Sequence, residues 1–154
     1  MSGRRRPGPA PEGIVALRRS PAVIGLLRAC GLPTDDLRAG LAVRWWGLRS
    51  GGHLVGVVGL ETHGREALLR SLAVRPEAQG TGTGTTLVAH AEAQARRLGL
   101  TRLHLLTTTA EAFFARLGYA RTERAAAPEA IARTAQFAGL CPSSAAFMSK
   151  ELRP

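Results

Sequence analysis

Leu69–Gly84 reads LRSLAVRPEAQGTGTG, and the rest of the chain is interpreted outward from it. A Leu- and Val-rich run ends at Val74, which marks a strand. Arg75-Pro76-Glu77 turns the chain, and Gln79-Gly80-Thr81-Gly82-Thr83-Gly84 follows as a glycine loop. Residues 85–98 have helical periodicity, with Leu87, Ala91 and Leu98 near helical spacing and Gly99 as the stop. A glycine loop between strand and helix leaves backbone N–H groups unpaired at the positive end of the helix dipole. That is a cradle for an anion such as a pyrophosphate. Glycine suits it because side chains would block the phosphates and positive φ would strain other residues.

Two familiar phosphate loops fail on this stretch. A Walker loop ends in Gly-Lys-Ser/Thr, whereas Gly84 is followed by Thr85-Thr86. A dinucleotide fingerprint needs G-x-G-x-x-G and an acidic residue about 20 positions on. Glycines 80, 82 and 84 have another rhythm, and residues 99–106 contain no Asp or Glu. The flanking strand and helix argue against the remaining alternative, a flexible Gly/Thr turn.

The 154 residues suit one domain with a sizeable core, and no apolar run is long enough to span a membrane. The Arg/Pro/Gly-rich start lacks the apolar stretch of a secretory signal. It reads as a disordered basic tail, residues 1–13, ahead of a single domain, 14–154. Cys30 and Cys141 fit reduced cysteines of a cytoplasmic protein, and histidines 53, 63, 90 and 104 are too scattered to indicate a metal site. A net charge of +10 favours anionic ligands and disfavours polycations such as aminoglycosides. Nucleic acid is the weaker choice of anion. Aromatics are few, the arginines are dispersed, and no helix-turn-helix or finger spacing occurs. The expectation is a soluble enzyme for acidic ligands, monomer or homodimer, with neither nucleic acid nor membrane as partner.

The order of elements predicts the sheet. Strand 14–19 precedes a helix from Pro21 to Cys30, ended by Gly31, and Pro33-Thr34-Asp35-Asp36 forms a turn or helix start leading to Leu41. Strands 43–49 and 53–61 flank the Ser50-Gly51-Gly52 turn as a hairpin, and His63-Gly64-Arg65 turns into strand 66–74. The helix 85–98 then leads to strand 102–106, a crossover that implies a parallel neighbour. Thr109 is expected to cap a short helix ending at Leu117, Pro128 to start a helix running to Phe137, and residues 145–152 to form the last strand. The fold class is α/β, or α+β, with a central mixed, mostly antiparallel sheet and helices on both faces. Neighbouring Trp45 and Trp46 point to opposite faces, so one is expected in the core and the other at a surface or interface.

Gln79-x-x-Gly82-x-Gly84 after a strand ending Leu72-Ala73-Val74 resembles the acetyl-CoA loop of the GCN5-related N-acetyltransferases, the GNAT superfamily. The later Ala110-Glu111-Ala112-Phe113-Phe114-Ala115-Arg116-Leu117-Gly118-Tyr119 resembles that superfamily's A-x-x-F-[FY]-x-x-x-G-[FY] segment. The resemblance implies the GNAT fold from Ile14 onward and acetyl-CoA as cosubstrate, with no metal. It places Leu72, Ala73 and Val74 along the acyl and pantetheine arm. Gln79, Gly80, Thr81, Gly82, Thr83, Gly84 and Thr85 lie on the pyrophosphate, and Thr107 and Phe113 beside the cofactor. A strand bulge would turn the Leu72 backbone N–H toward the thioester oxygen as an oxyanion donor.

The acid–base groups depart from the family pattern. Many relatives carry a tyrosine near Ala110 that protonates the leaving thiolate, and here Phe113-Phe114 stand instead. Tyr119, the chain's one tyrosine, falls where a core aromatic is usual, so solvent is expected to protonate the thiolate. The glutamate that relatives carry in the strand 66–74 falls on Leu68. Glu61 is the replacement base, acting through a water, or else a solvated turn residue or partner of Arg65. His63 is a second candidate by pKa, set against a solvated turn role.

For the acceptor, Arg70-Ser71 interrupts an apolar strand beside the expected thioester. The guanidinium either forks onto a substrate carboxylate or makes a cross-strand ion pair with Glu61 or Glu66. Segment 128–144 offers Thr134, Gln136, Cys141 and Ser144 to the acceptor pocket, or acts as an ordinary cover with Gln136 on its wet face. The wording LRSLAV, LLTTTAE and Leu140-Cys141-Pro142 resembles the amino-acid Nα-acetyltransferases, and within them the second type of arsenic-resistance N-acetyltransferase. The expected reaction is direct acetylation of a small amino-acid-like amine, in arsenical or toxic amino-acid resistance. The alternatives are acetylation of a peptide or antibiotic amine and a catalytically silent acyl-CoA-binding module.

Overall fold

The computed structural model describes residues 13–37 and 41–153. Apart from Gly13, the expected basic tail lies outside the described residues. Seven strands form one mixed sheet in the order β1-β2-β3-β4-β5-β7-β6. The strands are β1 (Ile14–Leu17), β2 (Val43–Ser50), β3 (His53–His63), β4 (Glu66–Val74), β5 (Arg102–Thr107), β6 (Ala120–Arg121) and β7 (Ala146–Glu151). The helices are α1 (Pro21–Ala29), α2 (Thr83–Arg97), α3 (Glu111–Arg116) and α4 (Glu129–Ala132). Hairpins account for β2–β3 and β3–β4. The α2 crossover returns β5 parallel to β4, and every other pairing is antiparallel.

Each face of the sheet has its own cover. Leu87, Val88, Ala91 and Ala95 of α2 pack with Trp46, Val58, Leu60, Leu69, Leu103 and Leu105 on one side. Val23, Leu26 and Leu27 of α1 pack with Trp45, Val57 and Ala73 on the other. Leu68, Ile131 and Phe147 add a smaller cluster under α4. Trp45 and Trp46 therefore point to opposite faces as strand geometry demands, yet both are buried. The expectation of a surface tryptophan is corrected, because a sheet covered on both sides has no wet face at its centre.

Two helix predictions also change. The helix expected over 128–137 stops at Ala132 and resumes as a π-helical turn at Gln136–Leu140. Thr134 explains the break: its hydroxyl donates to the Ile131 carbonyl at 2.7 Å and accepts from the Phe137 N–H. A side chain that competes in this way interrupts the ladder. At α3 the hydroxyl that accepts a backbone N–H is that of Thr107, bonded to Ala110 N–H at 3.0 Å, and not Thr109.

Two features of β4 position the site. It pairs with β5 only at Glu66–Arg102, Ala67–Leu103 and Leu68–His104, and beyond these the parallel strands part. In the other direction the β3 register passes from Gly59–Arg70 to Val57–Ala73, so that two residues, Ser71 and Leu72, oppose Val58 alone. This bulge reverses the alternation of side chains. Ala67 and Leu69 face α2, and after the inserted residue Leu72 and Val74 face it too. Ala73 turns to α1.

Candidate active site

The N-terminus of α2 is open. Gly82 sits at its N-cap with φ 84°, no side chain caps the first turn, and the ladder begins with Thr86 N–H donating to the Gly82 carbonyl at 2.9 Å. The N–H groups of Thr83, Gly84 and Thr85 therefore lack intrahelical acceptors at the positive end of a fifteen-residue helix. A cleft of about 570 Å3 opens on them, lined by Leu72, Val74, Gln79, Gly80, Gly82–Thr85 and, from across the cleft, Ala110, Phe113 and Arg116. A Cβ on Gly84 would come within 3.3 Å of the Phe113 ring, so helix α2 and the Phe113 ring approach through a glycine. Donor set and shape both fit a diphosphate. Gln79 donates to the Val74 carbonyl at 3.0 Å, and the Thr81 hydroxyl bonds Ala78 and Thr83, so these side chains hold the loop's own shape.

A second cleft, about 330 Å3, fills the gap where β4 and β5 part. Leu69–Leu72 and Leu105–Thr107 form its walls, Gly31–Pro33 and Cys141–Pro142 its far end. Leu72, Thr109 and Ala110 line both clefts, which makes one continuous trough from the open helix end to the bulge. One amide of a bulge has no ladder acceptor and is free to bond a ligand. Burial pushes the Cys141 thiol up, with the nearby Arg70 charge opposing, so it is no ready nucleophile.

On the α1 side of the sheet a chain of charges runs behind this trough. The Arg70 guanidinium, its side chain 0% exposed, forks onto Asp36 at 2.5 and 2.8 Å and reaches Glu61 at 2.8 Å. Its Nε donates to the Ser71 hydroxyl at 3.1 Å. Burial lowers the guanidinium pKa, but Asp36 and Glu61 outweigh it and hold the pKa above the ordinary value. Glu61 is 2% exposed and its second oxygen bonds His63 at 2.7 Å. A third cleft, lined by Asp36, Glu61, His63, Arg133 and Thr134, admits solvent to this end.

Of the two readings of Arg70, the geometry matches the cross-strand ion pair with Glu61. As a substrate-carboxylate ligand it is corrected, because its fork is already filled by Asp36. Glu61 is not a solvated turn residue, and its bonds run to Arg70 and His63. The Ala73 side chain points away from the trough and packs against α1. Gln136 is 5% exposed and lies neither on a wet face nor among the residues lining these clefts. Tyr119 is a core residue: its hydroxyl donates to Glu92 at 2.9 Å, and burial beside that carboxylate raises its pKa far above the ordinary value. Among the described residues no His, Cys, Asp or Glu cluster could hold a metal ion, and no helix is long and apolar enough to cross a membrane.

Residues 13–119 match the model of the acetyltransferase (GNAT) family. The chain belongs to that family. A curated relative, an amino-acid acetyltransferase of Ralstonia nicotianae, is 40% identical over 70 residues, 44% of this chain and 16% of the relative. The fold is similar to N-acetylglutamate synthase from Neisseria gonorrhoeae complexed with coenzyme A and N-acetyl-glutamate (TM-score 0.75, 23% identity, 93% of this chain, 36% of that one). It is also similar to Rv2747 from Mycobacterium tuberculosis in complex with CoA (TM-score 0.62, 26% identity, 71% of this chain, 76% of that one). The chain thus spans well under half the length of the first two.

Within this GNAT domain the sequence did not expose Arg116 or Asp36. Arg116 is one helical turn from Phe113 and so shares its face, a spacing that could have flagged it. Asp36 carries no local signal, since its partner is 34 positions away.

Proposed function

We propose that this GNAT protein is a cytoplasmic N-acetyltransferase that moves the acetyl group of acetyl-CoA to the amine of a small amino-acid-like acceptor. The observation that carries the reading is the continuity of the trough: an uncapped helix end for the diphosphate opens directly onto the β4 bulge. Between them, the facing edges of β4 and β5 beyond Leu68 and His104 have no ladder partners, which suits the amides of the pantetheine arm. Thr83, Gly84 and Thr85 offer N–H groups to the diphosphate and Arg116 a balancing charge. Phe113 packs beside the arm, and Thr107 lies next to it.

The amine attacks the thioester carbonyl while the Leu72 N–H stabilises the oxyanion. Glu61 is directly opposite Leu68 in the β3–β4 register, so it stands beside the position where relatives keep their glutamate. Each carboxylate oxygen keeps a second lone pair for a water that takes the amine proton, and half-buried His63 passes that proton outward. Solvent protonates the departing thiolate. The Ser71 hydroxyl, at the trough wall, is a donor for the acceptor. An amino acid is the acceptor class supported by the partial likeness to amino-acid acetyltransferases, and arsenic-containing mimics by the sequence resemblance.

Acetyl-CoA should raise the melting temperature at millimolar concentration, since it binds only the folded state. A panel of amino acids, amino-acid mimics, peptides and antibiotic amines, followed by thiol release, should then show highest kcat/KM for an amino acid. No thermal shift and no thiol release with any amine would remove the proposal.

A further inference from the structure

Ser71 is the only non-glycine residue at positive φ (57°) among the described residues. An L-residue is disfavoured there, so a surrounding structure must hold it. The same residue is the insertion that turns Leu72 toward the trough and Ala73 away from it. Arg70 supplies the hold. Its Nε bonds the Ser71 hydroxyl, its terminal nitrogens fork onto Asp36 of the α1–β2 connection, and one of them also meets Glu61 of β3. One fully buried guanidinium thus ties the bulge to the strand behind it and to the connection that follows α1.

We infer that Arg70 and Asp36 are positioning residues: their ion pair locks the Ser71 bulge so that the Leu72 amide points at the thioester oxygen. This rests on the acetyltransferase reading for its kinetic consequence, but not for its geometric one. A guanidinium is required because only a planar fork meets Asp36 through two nitrogens while a third bonds the serine, and a lysine cannot do all three. The carboxylates that compensate the buried Arg70 charge are the same groups that fix where it lies.

The test uses Asp36→Asn and Arg70→Lys, which keep volume better than alanine in a buried ion cluster. For both, kcat should fall about 10- to 100-fold while KM for acetyl-CoA and for acceptors stays within about threefold, equally for acidic and neutral amines. Glycine adopts φ near +57° without strain, so Asp36→Asn should cost less kcat in a Ser71→Gly background than alone. Independently of turnover, the strong intraresidue amide–Hα NOE of a positive-φ Ser71 should weaken in Asp36→Asn and Arg70→Lys. A raised KM confined to carboxylate-bearing acceptors would overturn the inference, as would unchanged kcat, equal cost in both backgrounds, or an undiminished Ser71 NOE. If the wild-type protein neither binds acetyl-CoA nor turns over, the acetyltransferase reading fails, and the NOE still decides whether the clamp exists.

Discussion

The two ends of the trough are built by opposite means. At the α2 end the proposed binding groups are backbone: consecutive N–H groups, glycines that keep side chains away, and a helix dipole. Behind the bulge end, side chains drawn from β3, β4 and the α1–β2 connection meet in one ion cluster, which the proposed mechanism uses for the base and for positioning. A backbone site needs neighbours in sequence, whereas a side-chain site needs neighbours in space. The first should therefore resist side-chain truncation and fail on backbone change; the second should do the reverse.

The largest expected effect falls at the side-chain end. Glu61→Gln keeps the shape and removes the proton acceptor, so kcat should drop about 100-fold or more at neutral pH, read by steady-state thiol release. Acetyl-CoA affinity, read by calorimetry, should be nearly unchanged. Loss of affinity instead would merge the two ends.

At the backbone end, Gly82→Val forces a β-branched residue to φ 84° at the helix N-cap. CoA binding should weaken about 10- to 100-fold by calorimetry, because such strain costs roughly 1–3 kcal/mol. Thr85→Ala, which removes only a side chain from the same turn, should change the affinity less than about threefold. Equal losses in the two variants would show that side chains, not amides, grip the diphosphate. Arg116→Ala lies between them, with a loss of about five- to tenfold that shrinks as salt rises.

The smallest effect concerns stability away from the trough. His104 is buried between Glu66 and Ser149, bonding each at 2.6 Å, and its ring stacks on Phe147. Burial depresses its pKa, with the Glu66 bond opposing. The unfolded chain therefore binds the proton first as pH falls below about 6.5, and the stability held at higher pH is lost on acidification. The melting temperature should be lower at pH 5.5 than at 7.5, and His104→Gln should flatten that slope.

This contrast also governs what the sequence revealed. The hairpins, the crossover and the glycine loop are legible because periodicity and turn residues are local signals; the insertion of β7 between β5 and the short β6 is not, because it is a long-range pairing. Trp45 and Trp46 show the limit of a strand pattern: alternation gives direction, but not whether a second layer covers each face. Arg70 stands out as a charge in an apolar strand, yet its main partner, Asp36, is found only in the fold. The broken helix after Ala132 turned on one hydroxyl, Thr134, whose choice between solvent and carbonyl depends on its burial.

The meagre backbone pairing between β4 and β5 has a mechanical consequence. The sheet is two leaves, β1–β4 and β5–β7, stitched at one end by three residue pairs and open at the other. On the proposed reading, an extended cosubstrate in that gap would act as a temporary eighth strand joining the two leaves. Occupancy of the gap and rigidity of the sheet would then be a single variable.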